Sequence, residues 1–283
     1  MSSLDGSSSF AIDVLSLERF RLDGGAMFGI VPKPLWEKSN PADEKNRIAM
    51  GCQCLLLRKH ERVILVDAGM GTKWEPKGRE IYAMEADAPD PAGHALAKHG
   101  LTAAQVTDVI VTHLHFDHAG GLTQHSPETG ELQPTFPNAK HWVQAVHLDW
   151  ARSPTEKDRG SFPPEHFEPL IKHDLLHLVR GQQSLISGLE VIPLFGHTHG
   201  MQAVLIEGDP PIFYPADLLP MTAHLHLPFI MAYDIAPLTT LEEKKRLLAR
   251  AVKEEWQVIF EHEPYETRGR VEMFHGKYRL GTA

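Results

Sequence analysis

Ten consecutive residues near the middle of the chain read Thr112-His113-Leu114-His115-Phe116-Asp117-His118-Ala119-Gly120-Gly121. The β-branched run at residues 106–112 predicts a buried strand that ends where the histidines begin. In extended backbone His113 and His115 point to the same side, because successive side chains alternate. Asp117 and His118 follow at the turn and leave it in different directions. The stretch can therefore offer two imidazoles to one cation, and a carboxylate and an imidazole to a second.

Three further candidate ligands follow predicted strands in the second half of the chain. They are His197 after residues 191–195, Asp217 after residues 212–214 and His262 after residues 258–260. Ligands gathered from the ends of several strands are how α/β folds build active sites. Imidazole and carboxylate together suit zinc, and also manganese or iron. The sequence thus predicts a divalent-cation site assembled from several strand ends.

The composition limits the classes of partner. The chain has 283 residues, a formal net charge of −9 and 18 histidines, and this histidine share is roughly three times the usual one. An acidic chain is a poor generic binder of nucleic acid or of anionic membranes. No apolar run is long enough for a membrane span and the N-terminus has no secretory pattern, so we expect a cytoplasmic protein. Its expected partner is a small-molecule substrate, and homodimerisation is left open.

The pattern along the chain predicts one domain over residues 10–283 behind a disordered leader at residues 1–9. Predicted strands cover residues 10–20, 52–57, 62–66, 106–112, 141–144, 189–194, 202–207, 212–214 and 257–260. The clearest helix is predicted over residues 241–255, with Thr239 or Thr240 as its N-cap. Residues 123–187 are less regular and are candidates for a lid or an interface. Cys52 and Cys54 share one strand face and are expected to be buried, inert thiols.

These motifs resemble those of a known superfamily. Thr112-His113-x-His115-x-Asp117-His118-x-Gly120-Gly121, Gly196-His197-Thr198, Asp217 and His262 are similar to four of the five motifs of the metallo-β-lactamase superfamily, and Asp67 matches the first motif. The resemblance runs from Phe10 to the C-terminus and implies an α/β fold of the αββα sandwich type, with two mixed sheets flanked by helices.

The resemblance also implies a ligand set for two divalent metal ions, with zinc as the first expectation and manganese, iron or cobalt as alternatives. By this likeness the first ion is held by His113, His115 and His197. The second ion is held by Asp117, His118 and His262, and Asp217 bridges both. Asp67 then hydrogen-bonds into the metal loops and orients them.

A second resemblance concerns the N-terminal segment. Residues 20–29, 31–36 and 46–48 resemble those of quorum-quenching N-acyl-homoserine lactonases and their organophosphate-hydrolase relatives. This likeness implies that a hydroxide bridging two cations attacks a lactone or ester carbonyl, with Asp117 orienting or accepting a proton. It also implies an apolar pocket for an acyl chain, lined by Met27, Phe28 and Trp36.

One position departs from the lactonase pattern. The best-known small lactonases place a tyrosine three residues after the bridging aspartate, and this chain has Pro220 there. We predict His224 as the group that assists the substrate instead, followed by His226 and Tyr233. Two other functions remain open: an organophosphate or phosphodiester hydrolase, since the same hydroxide attacks phosphorus, and a non-enzymatic metal-binding signalling module.

Overall fold

Two seven-stranded sheets form the centre of the computed structural model, which describes residues 9–281. The first sheet has, in spatial order, the strands β4 (Glu85–Ala86), β1 (Ala11–Asp23), β2 (Arg47–Lys59), β3 (Arg62–Val66), β5 (Asp108–Ile110), β8 (Lys140–Gln144) and β9 (Leu176–Val179). The second has β10 (Gln183–Ile186), β11 (Leu189–Leu194), β12 (Met201–Ile206), β13 (Ile212–Tyr214), β14 (Gln257–Ile259), β15 (Arg268–Phe274) and β16 (Lys277–Leu280). A separate ribbon pairs β6 (Thr123–His125) with β7 (Leu132–Pro134).

Both sheets are mixed. In the first sheet the pairs β3–β5, β5–β8 and β8–β9 are parallel, and the remaining pairs are antiparallel. In the second sheet the β13–β14 pair is parallel. Parallel neighbours end at the same edge of a sheet, so the loops that follow them meet in space.

Eight α-helices accompany the sheets within residues 9–281, and all but the last are short. They are α1 (Gly24–Phe28), α2 (Lys33–Trp36), α3 (Pro76–Ile81), α4 (Pro91–Lys98), α5 (Phe116–Ala119), α6 (Ala145–Arg152), α7 (Glu168–Lys172) and α8 (Pro237–Lys253) among the described residues. None of the helices within residues 9–281 is both long and apolar enough to cross a bilayer.

Strand β2 shows how the layers are built. Leu55 and Leu57 pack in one apolar cluster with Val191 and Ala203 of the second sheet. The alternate residues of β2, such as Leu56, join another cluster that includes helix α4. Because successive side chains of a strand point to opposite faces, one face of β2 meets the second sheet and the other meets a helix. The predicted αββα sandwich is confirmed.

Some predicted elements change in detail. Helix α8 begins at Pro237, a residue type favoured at the first helical position, and the preceding Ala236 makes no side-chain cap. The predicted N-cap was wrong, because the hydroxyl of Thr240 instead donates to Asp234 Oδ2 at 2.7 Å. Strands β15 and β16 were missed, since their charged sequences hide the alternation of half-buried residues. Apart from Ser9, the predicted leader lies outside the described residues.

The two glycines of the central motif, Gly120 and Gly121, lie where the side chain of any other residue would clash with a neighbouring backbone. Gly121 N donates to Gly69 O at 3.0 Å, and Ala68 N donates to His118 O at 2.9 Å. A Cβ atom on Gly121 would collide with the carbonyl oxygen of Ala68. The loops after β3 and β5 therefore touch through their main chains, and this contact holds Asp67 next to the histidines.

We expect Gly121→Ala to lower the free energy of unfolding by about 3 kcal/mol, because two backbones must separate to admit one methyl group. Urea denaturation of the chelator-treated protein measures this change. Gly160→Ala is the matched control, since a Cβ there meets no atom within 4 Å. Equal losses in the two variants would contradict the close-packing explanation.

Candidate metal centre

The seven predicted ligands come together in two buried groups. The first ligand group has one donor atom each from His113, His115, His197 and Asp217, all within 4.8 Å of one another. The second ligand group consists of Asp117, His118 and His262, with the same maximum spacing. The segment after β5 supplies both groups, and the ends of β11, β13 and β14 supply the rest.

Asp217 faces both groups with different oxygens. Its Oδ2 lies 3.1 Å from His197 Nε2, and its Oδ1 lies 3.0 Å from His262 Nε2. The same two oxygens lie 3.9 Å from His113 Nε2 and 3.7 Å from His118 Nε2, respectively. This is the arrangement expected of a carboxylate that bridges two cations.

The facing imidazoles fit cations chemically. His115 Nδ1 lies 3.0 Å from His113 Nε2 and 3.1 Å from His197 Nε2. His118 Nε2 and His262 Nε2 are 3.1 Å apart in the second group. Nitrogen lone pairs at this separation repel unless a proton or a cation lies between them. Imidazole and carboxylate ligands bind zinc at about 2.0–2.2 Å, so both groups are suitable for a divalent ion after small adjustments.

Four of the five histidine rings are oriented by hydrogen bonds on the side that faces away from the other ligands of their group. In the segment after β5, Thr112 Oγ1 contacts His113 Nδ1 and Asp67 Oδ2 contacts His118 Nδ1, both at 3.0 Å. In the second half of the chain, Asp234 Oδ1 contacts His197 Nδ1 at 2.8 Å. The carbonyl oxygen of Gly51 contacts His262 Nδ1 at 2.9 Å. Because each Nδ1–H is directed outward, each of these rings turns Nε2 towards the centre. Asp67 thus contacts one of the predicted ligands, His118, from outside the ligand groups.

The charges of the cation-free site depend on Asp217. Burial holds the pKa of His113 and of His115 well below the usual range. Burial acts in the same direction on His197 and His262, but the Asp217 carboxylate outweighs it and raises the pKa of each to about 9. Those two imidazolium rings in turn hold the pKa of Asp217 well below its usual range, against the effect of burial.

The sequence profile of the metallo-beta-lactamase superfamily matches residues 47–262, which is more than half of the chain. The chain belongs to the metallo-beta-lactamase superfamily. The matched range contains all seven predicted ligands and Asp67, so the profile and the geometry point to the same part of the molecule.

Individual relatives are more distant. The chain is 27% identical over 237 residues to an N-acyl homoserine lactonase of a Bacillus species. The alignment covers 76% of this chain and 82% of the lactonase. It is 25% identical over 173 residues to a probable metallo-hydrolase of Mycobacterium tuberculosis. That alignment covers 56% of this chain and 54% of the relative, so the chain spans about half its length. A probable metal-dependent hydrolase from Staphylococcus aureus superposes with a TM-score of 0.84 at 26% identity, over 97% and 98% of the two chains.

Membership of the superfamily does not say which other residues hold the candidate ligands in place. Asp234 and His147 both support the first ligand group, and the motifs of the sequence include neither of them. His147 Nε2 accepts from Leu114 N at 2.8 Å, and its Nδ1 donates to His199 O at 3.0 Å. A single neutral ring thereby links the two loops that carry the histidines. The sequence has no local signal for such a contact, because it depends on how α6 packs.

A cavity of about 250 Å³ reaches both ligand groups of this superfamily member. Most of its other lining side chains are apolar, and the polar ones include two tyrosines and one lysine. The lining residues outside the ligand groups are Leu22, Met27, Met50, Tyr82, Phe116, Lys157, Asp158, Gly160, Ser161, Met231, Tyr233 and Ile235.

The predicted pocket residues occupy two layers. Met27 lines the cavity. Phe28 and Trp36 are buried and stack on each other behind it, with ring centroids 5.2 Å apart. They support the wall, and the structure does not place them among the residues that line the cavity in the described chain.

His224 also lies behind the wall. Its Nε2 donates to Met27 O at 2.9 Å, and its ring stacks on Phe28 at 5.1 Å. Burial lowers the pKa of His224 to about 3, so the ring is neutral with its proton already engaged. This placement does not favour the predicted role of assisting the substrate.

The pocket loop, residues 226–234, is held by two lysines from different parts of the chain. Lys244 Nζ donates to the carbonyl oxygens of His226, Leu227 and Phe229 at 2.9, 3.3 and 2.7 Å. Lys157 Nζ donates to those of Ala232, Tyr233 and Asp234 at 3.1, 2.9 and 3.4 Å. Burial lowers the pKa of Lys244 to about 7. The two ammonium groups thus fix six carbonyls of the loop that carries Tyr233.

We expect Asp234→Asn to weaken cation binding at the first ligand group about 10–100-fold, because the carboxylate that orients His197 loses its charge. Competition with a chromogenic chelator measures the affinity. Asp158→Asn is the control, since Asp158 lines the same cavity but accepts from Trp150 Nε1 and Thr155 Oγ1. An unchanged affinity in Asp234→Asn would show that the hydrogen bond does not tune the site.

Proposed function

We propose that this protein is a dinuclear-metal hydrolase that opens lactone or ester bonds, with N-acyl-homoserine lactones as its substrate class. The main observation in support of this proposal is that Asp217 presents one oxygen to each of two ligand groups beside a largely apolar cavity. The likeness to an N-acyl homoserine lactonase of Bacillus supports the choice of substrate.

The residues fit two divalent cations, with zinc as the first choice for this mixture of imidazole and carboxylate ligands. Such ions, when bound, would supply an activated water and would polarise the carbonyl of the substrate. Asp117 belongs to the second ligand group and also lines the cavity. Its carboxylate is therefore placed to orient that water and to accept a proton.

The apolar wall is suited to an acyl chain. Leu22, Met27, Phe116 and Met231 line the cavity with apolar side chains. Burying each methylene of a substrate chain contributes about 0.8 kcal/mol. The flexible methionines adapt to acyl chains of different shape. This wall is therefore better suited to a flexible acyl group than to one rigid substrate.

Tyr233 is our candidate for the donor that Pro220 cannot supply. It lines the cavity, and its hydroxyl has no hydrogen-bond partner within residues 9–281. Burial, followed by the nearby Asp117 carboxylate, raises the pKa of this phenol, so it keeps its proton at neutral pH. A protonated hydroxyl facing the cavity can donate to the carbonyl or leaving oxygen of the substrate.

The charges in the cavity favour a neutral substrate. Lys157 is the only lysine or arginine among the described lining residues, and its ammonium already contacts three backbone carbonyls. An anionic phosphodiester would therefore lack a free cationic side chain. A neutral phosphotriester remains the alternative substrate, and a signalling module without catalysis remains the non-enzymatic alternative.

Assays of the zinc-loaded protein on an acyl-homoserine lactone, a neutral phosphotriester and an anionic phosphodiester test the proposal. We expect ring opening of the lactone, seen as one proton released per turnover in a pH-stat, to be the fastest reaction. His118→Ala should lose one zinc equivalent and most of this activity. Faster phosphoester hydrolysis would favour the alternative enzyme, and inactivity on all three with two zinc ions bound would favour the signalling module.

We expect Tyr233→Phe to lower kcat for the lactone about 100-fold with little change in KM, because the lost donor acts mainly on the developing oxyanion. Steady-state kinetics of the zinc-loaded variant measure both constants. Tyr82→Phe is the matched comparison, since Tyr82 lines the same cavity. A loss confined to Tyr82→Phe would transfer the role to that residue.

A further inference from the structure

Glu261 lies beneath the second ligand group, on the side of His118 that faces away from the cavity. Its side chain is completely buried, and its Oε2 lies 3.1 Å from His118 Nδ1. Asp67 Oδ2 approaches the same nitrogen at 3.0 Å. Two carboxylates therefore converge on one imidazole N–H.

That N–H can serve only one of them well. Asp67 accepts it and also accepts from Thr112 N at 2.7 Å and from Thr112 Oγ1 at 2.6 Å. Neither oxygen of Glu261 has a hydrogen-bond partner with suitable geometry in the described part of the chain. Asp67 is thus well satisfied, whereas Glu261 is a buried acid whose contact with His118 Nδ1 is shared with Asp67.

Such a group needs an explanation other than folding. A buried carboxylate that has to share its donor with a second carboxylate destabilises a folded chain, and a neutral residue of similar shape would serve packing better. The unfavourable charge is compensated when His118 Nε2 binds a cation, because the ring and its remaining N–H then become more positive. Glu261 would therefore interact more favourably with the cation-bound protein than with the cation-free protein.

We propose that Glu261 is a positioning residue that, together with Asp67, holds His118 and sets the affinity of the second ligand group for its cation. The inference rests on the proposed cation centre. Because the carboxylate favours the cation-bound form, it raises affinity and lowers the stability of the cation-free form. These two effects have opposite signs and can be measured separately.

The test uses Glu261→Gln, which keeps the shape and removes the charge. Chelator-treated protein is titrated with Co²⁺ and followed by its visible spectrum, and its thermal unfolding is recorded without metal. We expect the second Co²⁺ to bind about 10–100-fold more weakly while the first is unchanged. The melting temperature of the metal-free variant should rise by about 2–4 °C.

Glu18→Gln is the matched control, because Glu18 is another buried acid but accepts from Gly71 N at 3.0 Å. Its Co²⁺ affinities should equal those of the parent protein. Wild-type affinity for the second Co²⁺ in Glu261→Gln would overturn the inference, and so would a metal-free Glu261→Gln that melts lower or does not fold. A parent protein that binds fewer than two Co²⁺ would instead refute the proposed dinuclear centre.

Discussion

Asp217 meets both ligand groups at once, and the site depends on this one carboxylate. It follows β13, which is parallel to β14, so Asp217 and His262 emerge at the same edge of the second sheet. The histidines of residues 113–118 arrive from the first sheet. Neither sheet alone holds a complete ligand group, so the face-to-face packing of the sandwich is a condition for the site.

The candidate ligands, which the structure brings together, could be identified in the sequence because their signal is local. A short β-branched run followed by closely spaced histidines indicates a strand end with several donors, and no knowledge of distant residues is needed. The fold class followed from the same motifs. Helix α8 illustrates the limit, since Thr240 has the side chain of a cap but its hydroxyl is engaged by Asp234. A tertiary contact overrode the local preference.

The supporting residues were not predictable in this way. Asp234 and Glu261 contact the rings of His197 and His118, and His147 contacts the main chain at Leu114. These partners lie far apart in sequence, at separations fixed only by the folded chain. Likewise, Phe28 and His224 have residue types typical of a pocket, yet they lie one layer behind it. A sequence pattern indicates which side chains can do chemistry, whereas packing determines which of them reach the cavity.

The pocket loop has a consequence for how this protein can change over evolutionary time. Lys157 and Lys244 hold the loop through six backbone carbonyls, an atom type that every amino acid has. Apart from Asp234, whose carboxylate contacts His197 and Thr240, the side chains of the loop therefore contribute little to its path. Residues such as Met231 can be exchanged while the main chain stays in place, so single substitutions can change the lining of the cavity while the candidate metal centre keeps its geometry.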